Sequence, residues 1–435
     1  MPAATTLSRD AAAALRDTGA PVRDATAHDS VDGVAPVLVA SPTSTDQVAG
    51  VLRACAEHGL AVVARGAGTK LAWGVPPDLL DVIVDLSGLD RIVEHAAGDL
   101  IVVAEAGVRL ADLNRVTGRA GQHLAVDETM AGATVGGTIC AAASGPQRFL
   151  RGTVRDLLIG LTFVRADGKV VHAGGRVVKN VAGYDVCKLL VGSYGTLGVV
   201  TQATFRLHPL PRARRVVSVV CDHPRDAAEL VARIVHSQTV PSAVEIDWPR
   251  DGSVVVAALV EGSPAGVDER ATTIAGVAAP GSAEVTDIQP DWWGRYPWTT
   301  RPTAAEAADS ADTAFKLTFP VGALRAVLDC VAGLRAEGRV ALSLRGSAGT
   351  GVLYAAAHPR DPSTEASVLT ARVLARLRGT CAAGGGSVVV LDAPVAVKRA
   401  VDVWGPVGGL DLMRRVKSEF DPERRLSPGR FVGEI

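Results

Sequence analysis

The chain has 435 residues, 48% of them hydrophobic and 21% charged, and a net charge of −1. That length implies two or three domains with ample buried core, and the near-neutral balance argues against the basic surface of a nucleic-acid binder. Six cysteines (Cys55, Cys140, Cys187, Cys221, Cys330 and Cys381) occur without one CxxC pair, which disfavours iron–sulfur and structural zinc sites; no metal is expected. No uninterrupted apolar stretch reaches the ~18 residues of a membrane span, and Arg9 and Asp10 interrupt the start of the chain, so a cytoplasmic location is expected.

Residues 36–40 read as a strand. Ser44 and Gln47 then have capping-box spacing, Val48, Val51, Leu52 and Cys55 recur at helical spacing, and Gly59 stops the helix. A strand over 60–65 delivers the first glycine turn, Arg65-Gly66-Ala67-Gly68-Thr69-Lys70. Strands over 81–85 and 100–105 and a short helix over 110–119 precede a second, Ala131-Gly132-Ala133-Thr134-Val135-Gly136-Gly137-Thr138. A third glycine cluster spans 192–198. After Pro209-Leu210-Pro211 the pattern becomes antiparallel strands (216–221, 244–248, 253–260) with helices over 224–236 and 324–336. Arg212-Ala213-Arg214-Arg215 reads as a solvated interdomain linker. Residues 291–298 concentrate three of six tryptophans, which suits a lid, a docking patch or a core equally. A helix over 410–420 leads the tail back toward the first half. The fold class is α+β, mixed α/β in its first part.

The glycine turns carry the chemistry. Successive backbone N–H groups unobstructed by side chains form a concave anion site, and glycine admits a phosphate closely. A β-branched residue at Gly68 or Gly136 is expected to block that approach and leave much of the fold intact. Gly66 to Lys70 lacks the Walker A spacing and the third Rossmann glycine, and Pro76-Pro77 prevents a helix from opening after it. Three such clusters point to a large nucleotide held at several places.

Val62 to Lys70, Ala133-Thr134-Val135-Gly136-Gly137 and Val191 to Thr201 resemble the FAD domain of the vanillyl-alcohol-oxidase/PCMH flavoproteins. Ala143-Ser144-Gly145-Pro146, Arg151 to Asp156, Lys179 to Asp185, Phe420-Asp421-Pro422 and Ser427-Pro428-Gly429-Arg430 are similar to the family of FAD-binding E subunits of bacterial glycolate oxidase. The resemblance implies an N-terminal segment (1–33), a two-part PCMH-type FAD-binding domain (34–211), an α+β cap (212–401) and a segment returning to the FAD domain (402–435). It also implies FAD, a 2-hydroxy acid substrate, a second flavoprotein subunit and an iron–sulfur subunit.

On this reading the FAD contacts are Arg65, Gly66, Ala67, Gly68, Thr69 and Lys70 at the pyrophosphate. Ala133, Thr134, Val135, Gly136, Gly137, Ser144 and Gly145 run along the dinucleotide, and Gly195, Thr196, Leu197, Gly198 and Val199 close the far side. Many relatives attach FAD to a histidine near the first turn; Thr69 and Lys70 stand there, so noncovalent FAD is expected, with Cys140 the one conceivable attachment point. Lys179, Asn180, Tyr184 and Asp185 form a polar cluster that is either a hydrogen-bonded turn entering a helix over 185–191 or part of catalysis. Lys179, Tyr184 and Arg430 are the catalytic candidates. His123, His172 and His223 stand isolated, and His208 and His358 precede prolines. None makes the compact histidine–glutamate cluster of metal-dependent relatives, so substrate oxidation by the isolated chain is expected to be poor. A stand-alone FAD oxidase or dehydrogenase and a noncatalytic FAD-holding subunit remain alternatives.

Overall fold

The computed structural model describes residues 7–176, 185–278, 283–298, 312–359 and 366–435. The chain begins with a four-stranded sheet in the order Val22–Asp24, Leu38–Ala40, Val82–Asp85, Val62–Arg65; the first pair is antiparallel and the others parallel. Ser44 Oγ accepts from Gln47 N at 3.2 Å and starts the helix Thr45–Glu57. The Gln47 side chain turns to Thr43 N (2.8 Å) instead of Ser44, so only half of the expected box forms. Gly59, at φ +66°, ends the helix and lets Leu60 N reach back to Cys55 O. The buried face of this helix covers a five-stranded antiparallel sheet, ordered Ile92–Ala96, Ile101–Glu105, Val199–Arg206, Leu158–Val164, Val170–Gly174.

An eight-stranded antiparallel sheet follows, in the order Ala283–Thr286, Ala213–Cys221, Val254–Gly262, Ala243–Trp248, Val340–Ser347, Val352–Pro359, Thr313–Thr318, Ser387–Asp392. Period-two alternation gives its faces opposite chemistry. Val244, Ile246, Phe315, Leu317, Leu342, Leu344, Leu353 and Ala355 point into one core with the helices Pro224–Val235, Leu324–Ala336 and Ala366–Ala383. Their alternates Glu245, Asp247, Lys316, Ser343, Arg345 and Tyr354 face the other way. Trp73 and Met130, from the first half of the chain, pack with Tyr296, Trp298 and Tyr354 on that second face.

Three local expectations change. Ala213–Cys221 is a strand, so Arg214 and Arg215 belong to the sheet rather than to a linker, and Arg215 Nη2 pairs with Asp268 at 2.9 Å. The second glycine segment enters a short helix, Val135–Cys140, because Thr134 Oγ1 caps Gly137 N and small residues let it pack closely. The helix expected over 185–191 contracts to Cys187–Leu190. The tryptophan segment resolves in favour of core: Tyr296 and Trp298 stack at 4.7 Å, and Trp292 and Trp293 pack against Val216, Ala243 and Leu259.

The helix Leu410–Phe420 returns the tail to the first half, where Phe420 stacks on Phe163 at 6.1 Å. Lys417, 3% exposed, donates from Nζ to Asp421 Oδ2 (2.6 Å), Thr196 O (2.8 Å) and Leu426 O (3.0 Å). Lys417→Met strands a buried carboxylate and two carbonyls, and we expect a loss of about 3–5 kcal/mol in urea unfolding at neutral pH. A loss below about 1 kcal/mol, the value of a surface pair, would show that this anchor contributes little.

Candidate active site

The first glycine turn leaves the strand Val62–Arg65 and runs without helix to Pro77. The N–H groups of Ala67, Gly68, Thr69 and Lys70 donate to no protein atom among the described residues. They border a cleft whose lining also includes Thr134, Gly136, Gly137, Cys140, Ala141, Tyr194, Gly195, Gly198 and Arg430. Lys70 Nζ sits 5.9 Å from the Trp73 ring centroid, and burial pulls its ammonium down to about 8. Arg430 is 3% exposed; its Nη2 donates to Leu71 O and Trp73 O, while its buried Nε has no hydrogen-bond partner. A row of unengaged donors, a wall of small residues and an orphaned guanidinium N–H together fit an elongated ligand carrying negative charge.

Other predicted residues take different places. The Arg65 guanidinium is held by Asp29 Oδ1 (2.9 Å) and Asp85 Oδ2 (2.6 Å), so its charge serves the sheet, although the residue borders the cleft. Gly136 N donates to Ala106 O at 2.8 Å, and a Cβ there would meet Ala106 Cβ at 2.8 Å. Its glycine is required for packing a helix on the Ala106 backbone, not for an open donor. Ala133, Val135, Leu197 and Val199 are core residues, and Thr196 Oγ1 donates to Ser193 O at 2.7 Å. None of these five lines the cleft. Cys140 does, but burial pushes its thiol up to about 12, leaving it protonated and a poor nucleophile. Lys179, Asn180 and Tyr184 lie outside the described residues; Asp185 Oδ2 sits 3.6 Å from Lys188 Nζ. His123, isolated in the sequence, pairs across strands with His208. Among the described residues no three His, Cys, Asp or Glu side chains gather as metal ligands.

Ser144 and Gly145 line a separate cavity with Arg148, Glu245, Tyr296, Ser347 and Tyr354. A third hollow, bordered by Trp73, Lys316, Tyr296, Tyr354 and Trp404, shares Ala141 and Tyr194 with the glycine-lined cleft. The third hollow therefore adjoins the cleft on the polar face of the eight-stranded sheet. There Arg148 Nη2 donates to Tyr354 Oη at 3.1 Å, and Lys316 stands directly opposite Tyr354 on the neighbouring strand. Burial pushes the Glu245 carboxyl up to about 8. Sequence reading did not find Arg148, Glu245, Lys316 or Tyr354. The available signal was a polar residue at alternate positions of otherwise apolar strands.

Asp29 generates a pH prediction. Arg23 (2.8 Å to each oxygen), with help from Thr26 and Arg65 and against the cost of burial, holds its carboxyl well below the usual range. A carboxylate depressed in the folded state contributes stability above its unfolded pKa of about 4, and that contribution is lost as pH falls below it. Asp29→Asn should therefore lower stability at neutral pH and flatten its decline on acidification, measured as Tm against pH. Parallel curves for variant and parent would refute the assignment.

The FAD binding domain family matches residues 36–174, and the family of FAD linked oxidases, C-terminal domain, matches residues 403–431. The chain is 33% identical over 216 residues to the glycolate oxidase subunit GlcD of Bacillus subtilis, covering 49% of this chain and 46% of that protein. It is 32% identical over 208 residues to the D-lactate dehydrogenase of Archaeoglobus fulgidus, covering 48% and 46%. Each match thus spans about half the length of the relative. In structure it is similar to an alkyldihydroxyacetonephosphate synthase, with TM-score 0.71 over 98% of this chain and 86% of that one, at 16% identity; this likeness speaks to fold alone. The segments that match the FAD binding domain family and the FAD linked oxidase C-terminal family thus border one cleft.

Proposed function

We propose that the chain oxidises a small 2-hydroxy acid, of the glycolate or lactate kind, at its own FAD, and passes the electrons to partner subunits of a glycolate oxidase-type complex in the cytoplasm. The observation that carries this reading is the hollow bearing Lys316 and Tyr354, which shares Ala141 and Tyr194 with the glycine-lined cleft and lies beside the separate cavity of Arg148. Relatives named as a glycolate oxidase subunit and a D-lactate dehydrogenase support the substrate class. We also propose the division into 34–211, 212–401 and 402–435, supported by separate hydrophobic cores before and after the 207–217 stretch.

The N–H groups of Ala67 to Lys70 and the Lys70 ammonium would hold the pyrophosphate, and Gly137, Ala141, Gly195 and Gly198 would let the ring system lie close to the backbone. Bound FAD supplies a two-electron acceptor for the substrate C–H bond. The protein's part is to hold the carboxylate, exclude water and take the hydroxyl proton. Lys316 has no ion-pair partner among the described residues and suits the carboxylate. A single cation bordering an apolar hollow can orient a monocarboxylate without competing partners. The expectation of poor oxidation rested on the missing histidine–glutamate cluster; this cavity supplies other candidates for the cation and the base. Six scattered, unpaired cysteines offer no cluster ligands, so onward transfer falls to a partner, as in the reading with a second flavoprotein and an iron–sulfur subunit. The protonated Cys140 favours noncovalent FAD.

Stopped-flow mixing of the FAD-loaded chain with glycolate or D-lactate tests the reading. We expect bleaching of the flavin in a single turnover, slow reoxidation alone, and steady turnover only with the partner subunits. Acid precipitation should release the flavin. A flavin that neither acid reduces, with or without partners, rejects the substrate class. The glycines make a second test. Gly68, at φ +75° with only Arg65 Cδ, at 3.9 Å, near where a Cβ would stand, should lose FAD affinity as Gly68→Val while its far-ultraviolet dichroism is retained. Gly136→Val should instead lower Tm even without flavin, because Ala106 cannot move aside. Equal flavin content in parent and Gly68→Val would exclude the first turn from the phosphate site.

A further inference from the structure

We propose that Tyr354 is the catalytic base of this chain, its Oη accepting the substrate hydroxyl proton, and that Arg148 is the positioning residue that holds the resulting charge distribution in place. This inference rests on the 2-hydroxy acid reading above. Tyr354 is 8% exposed and lines both the hollow that shares Ala141 and Tyr194 with the cleft and the separate cavity beside Arg148. Arg148 comes from a different part of the chain, the short helix Arg148–Arg151. Its Nε donates to Gly145 O and its Nη2 to Tyr354 Oη, both at 3.1 Å. A guanidinium fixed at one end by a backbone carbonyl and presented at the other to a phenol is a preorganised partner for phenolate.

The surrounding groups agree in sign. Lys316, opposite Tyr354 on one neighbouring strand, adds a second cation. Arg345, opposite on the other neighbouring strand, is neutralised by Asp247 at 2.7 Å and donates to Tyr296 O, so it adds little. Glu245 and Asp127 are the acids near Arg148, and burial pushes both carboxyls upward. Tyr296, with ring centroids 4.7 Å apart, and Tyr194 are neutral phenols. Burial opposes a phenolate at Tyr354, yet Arg148 and Lys316 outweigh it and bring that phenol below its ordinary value. In the step, Tyr354 Oη as phenolate would take the proton as the substrate O–H bond breaks, the C–O bond would become a carbonyl, and the C–H hydrogen with its electron pair would go to the two-electron acceptor that bound FAD supplies.

The experiment uses the FAD-loaded protein with Tyr354→Phe, Arg148→Met and Arg148→Lys. In the parent, phenolate absorbance against pH should show one tyrosine titrating below the others. That phase should be missing in Tyr354→Phe, move to higher pH in Arg148→Met and be partly restored in Arg148→Lys. Flavin reduction by the 2-hydroxy acid should fall about 10²–10⁴-fold in Tyr354→Phe and lose its dependence on that titration, while FAD content and the Kd for the matching 2-oxo acid stay near the parent's. A Tyr354→Phe enzyme that reduces its flavin at the parent's rate, with the parent's pH profile, overturns the proposal. If no 2-hydroxy acid reduces the parent, the substrate reading falls, and the titration alone decides: a low-titrating phase assigned to Tyr354 upholds its role as proton acceptor, and its absence removes it.

Discussion

A backbone segment that turns successive N–H groups toward a ligand turns its carbonyls toward the protein, and each of those carbonyls then needs a donor. The first glycine turn meets this demand with few local bonds: Leu71 N reaches Gly68 O and Trp73 N reaches Lys70 O. The next three carbonyls take cations from the far end of the chain. Arg430 Nη2 serves Leu71 O and Trp73 O, and Lys398 Nζ, fully buried, serves Ala72 O while pairing with Asp32 at 2.7 Å. Lys417 does the same for Thr196 O in the third glycine cluster. Burying three cations is costly, and Asp32 and Asp421 offset much of it. The cleft is therefore shaped from behind, by a C-terminal stretch that contributes only Arg430 to its lining. The matched segments at 36–174 and 403–431, distant in sequence, thus pack together around one cleft.

Local signals were legible where one segment decides its own structure. The helix Leu410–Phe420 coincides with its expected range, and Ser44 and Gly59 bracket Thr45–Glu57 as their chemistry dictates. The donor row of the first turn followed from glycine spacing and the absence of a following helix. Arg65 misled because its carboxylates, Asp29 and Asp85, are remote in sequence and become neighbours only through parallel pairing of strands. Gly136 misled for a different reason. A glycine that lets a ligand approach and a glycine that lets a helix approach Ala106 look alike in one sequence, and only the position of the neighbouring backbone separates them.

The polar cavity was illegible for a topological reason. Arg148, Glu245, Lys316 and Tyr354 lie in four separate segments, and each looks alone like a solvated charge or a stray aromatic. Cross-strand register brings Lys316 beside Tyr354, and sheet order brings Glu245 onto the same face. The opposite face is filled by helices, so side chains at the alternate positions turn to the second face, where those of the central strands line the cavities. The sheet thus acts as a rigid plate whose even and odd positions separate packing from chemistry, and rigidity of that kind is what a site with sub-ångström tolerances needs.

Two phenols in this cavity show how environment assigns roles to identical side chains. Tyr296 and Tyr354 stand 4.7 Å apart between ring centroids, and both are almost fully buried. Tyr296 stacks on Trp298, and its hydroxyl accepts from Thr129 Oγ1 at 3.0 Å; burial pushes it well above the ordinary phenol value. Tyr354 meets the same burial but faces Arg148 and Lys316, and those cations reverse the direction. Removing a proton from one phenol raises the cost of removing it from its neighbour, so at most one of the pair becomes phenolate. The cations decide which. Tyr296 then serves as an apolar wall held by Trp73 and Trp298, and Tyr354 is left as the group whose charge can change during a reaction.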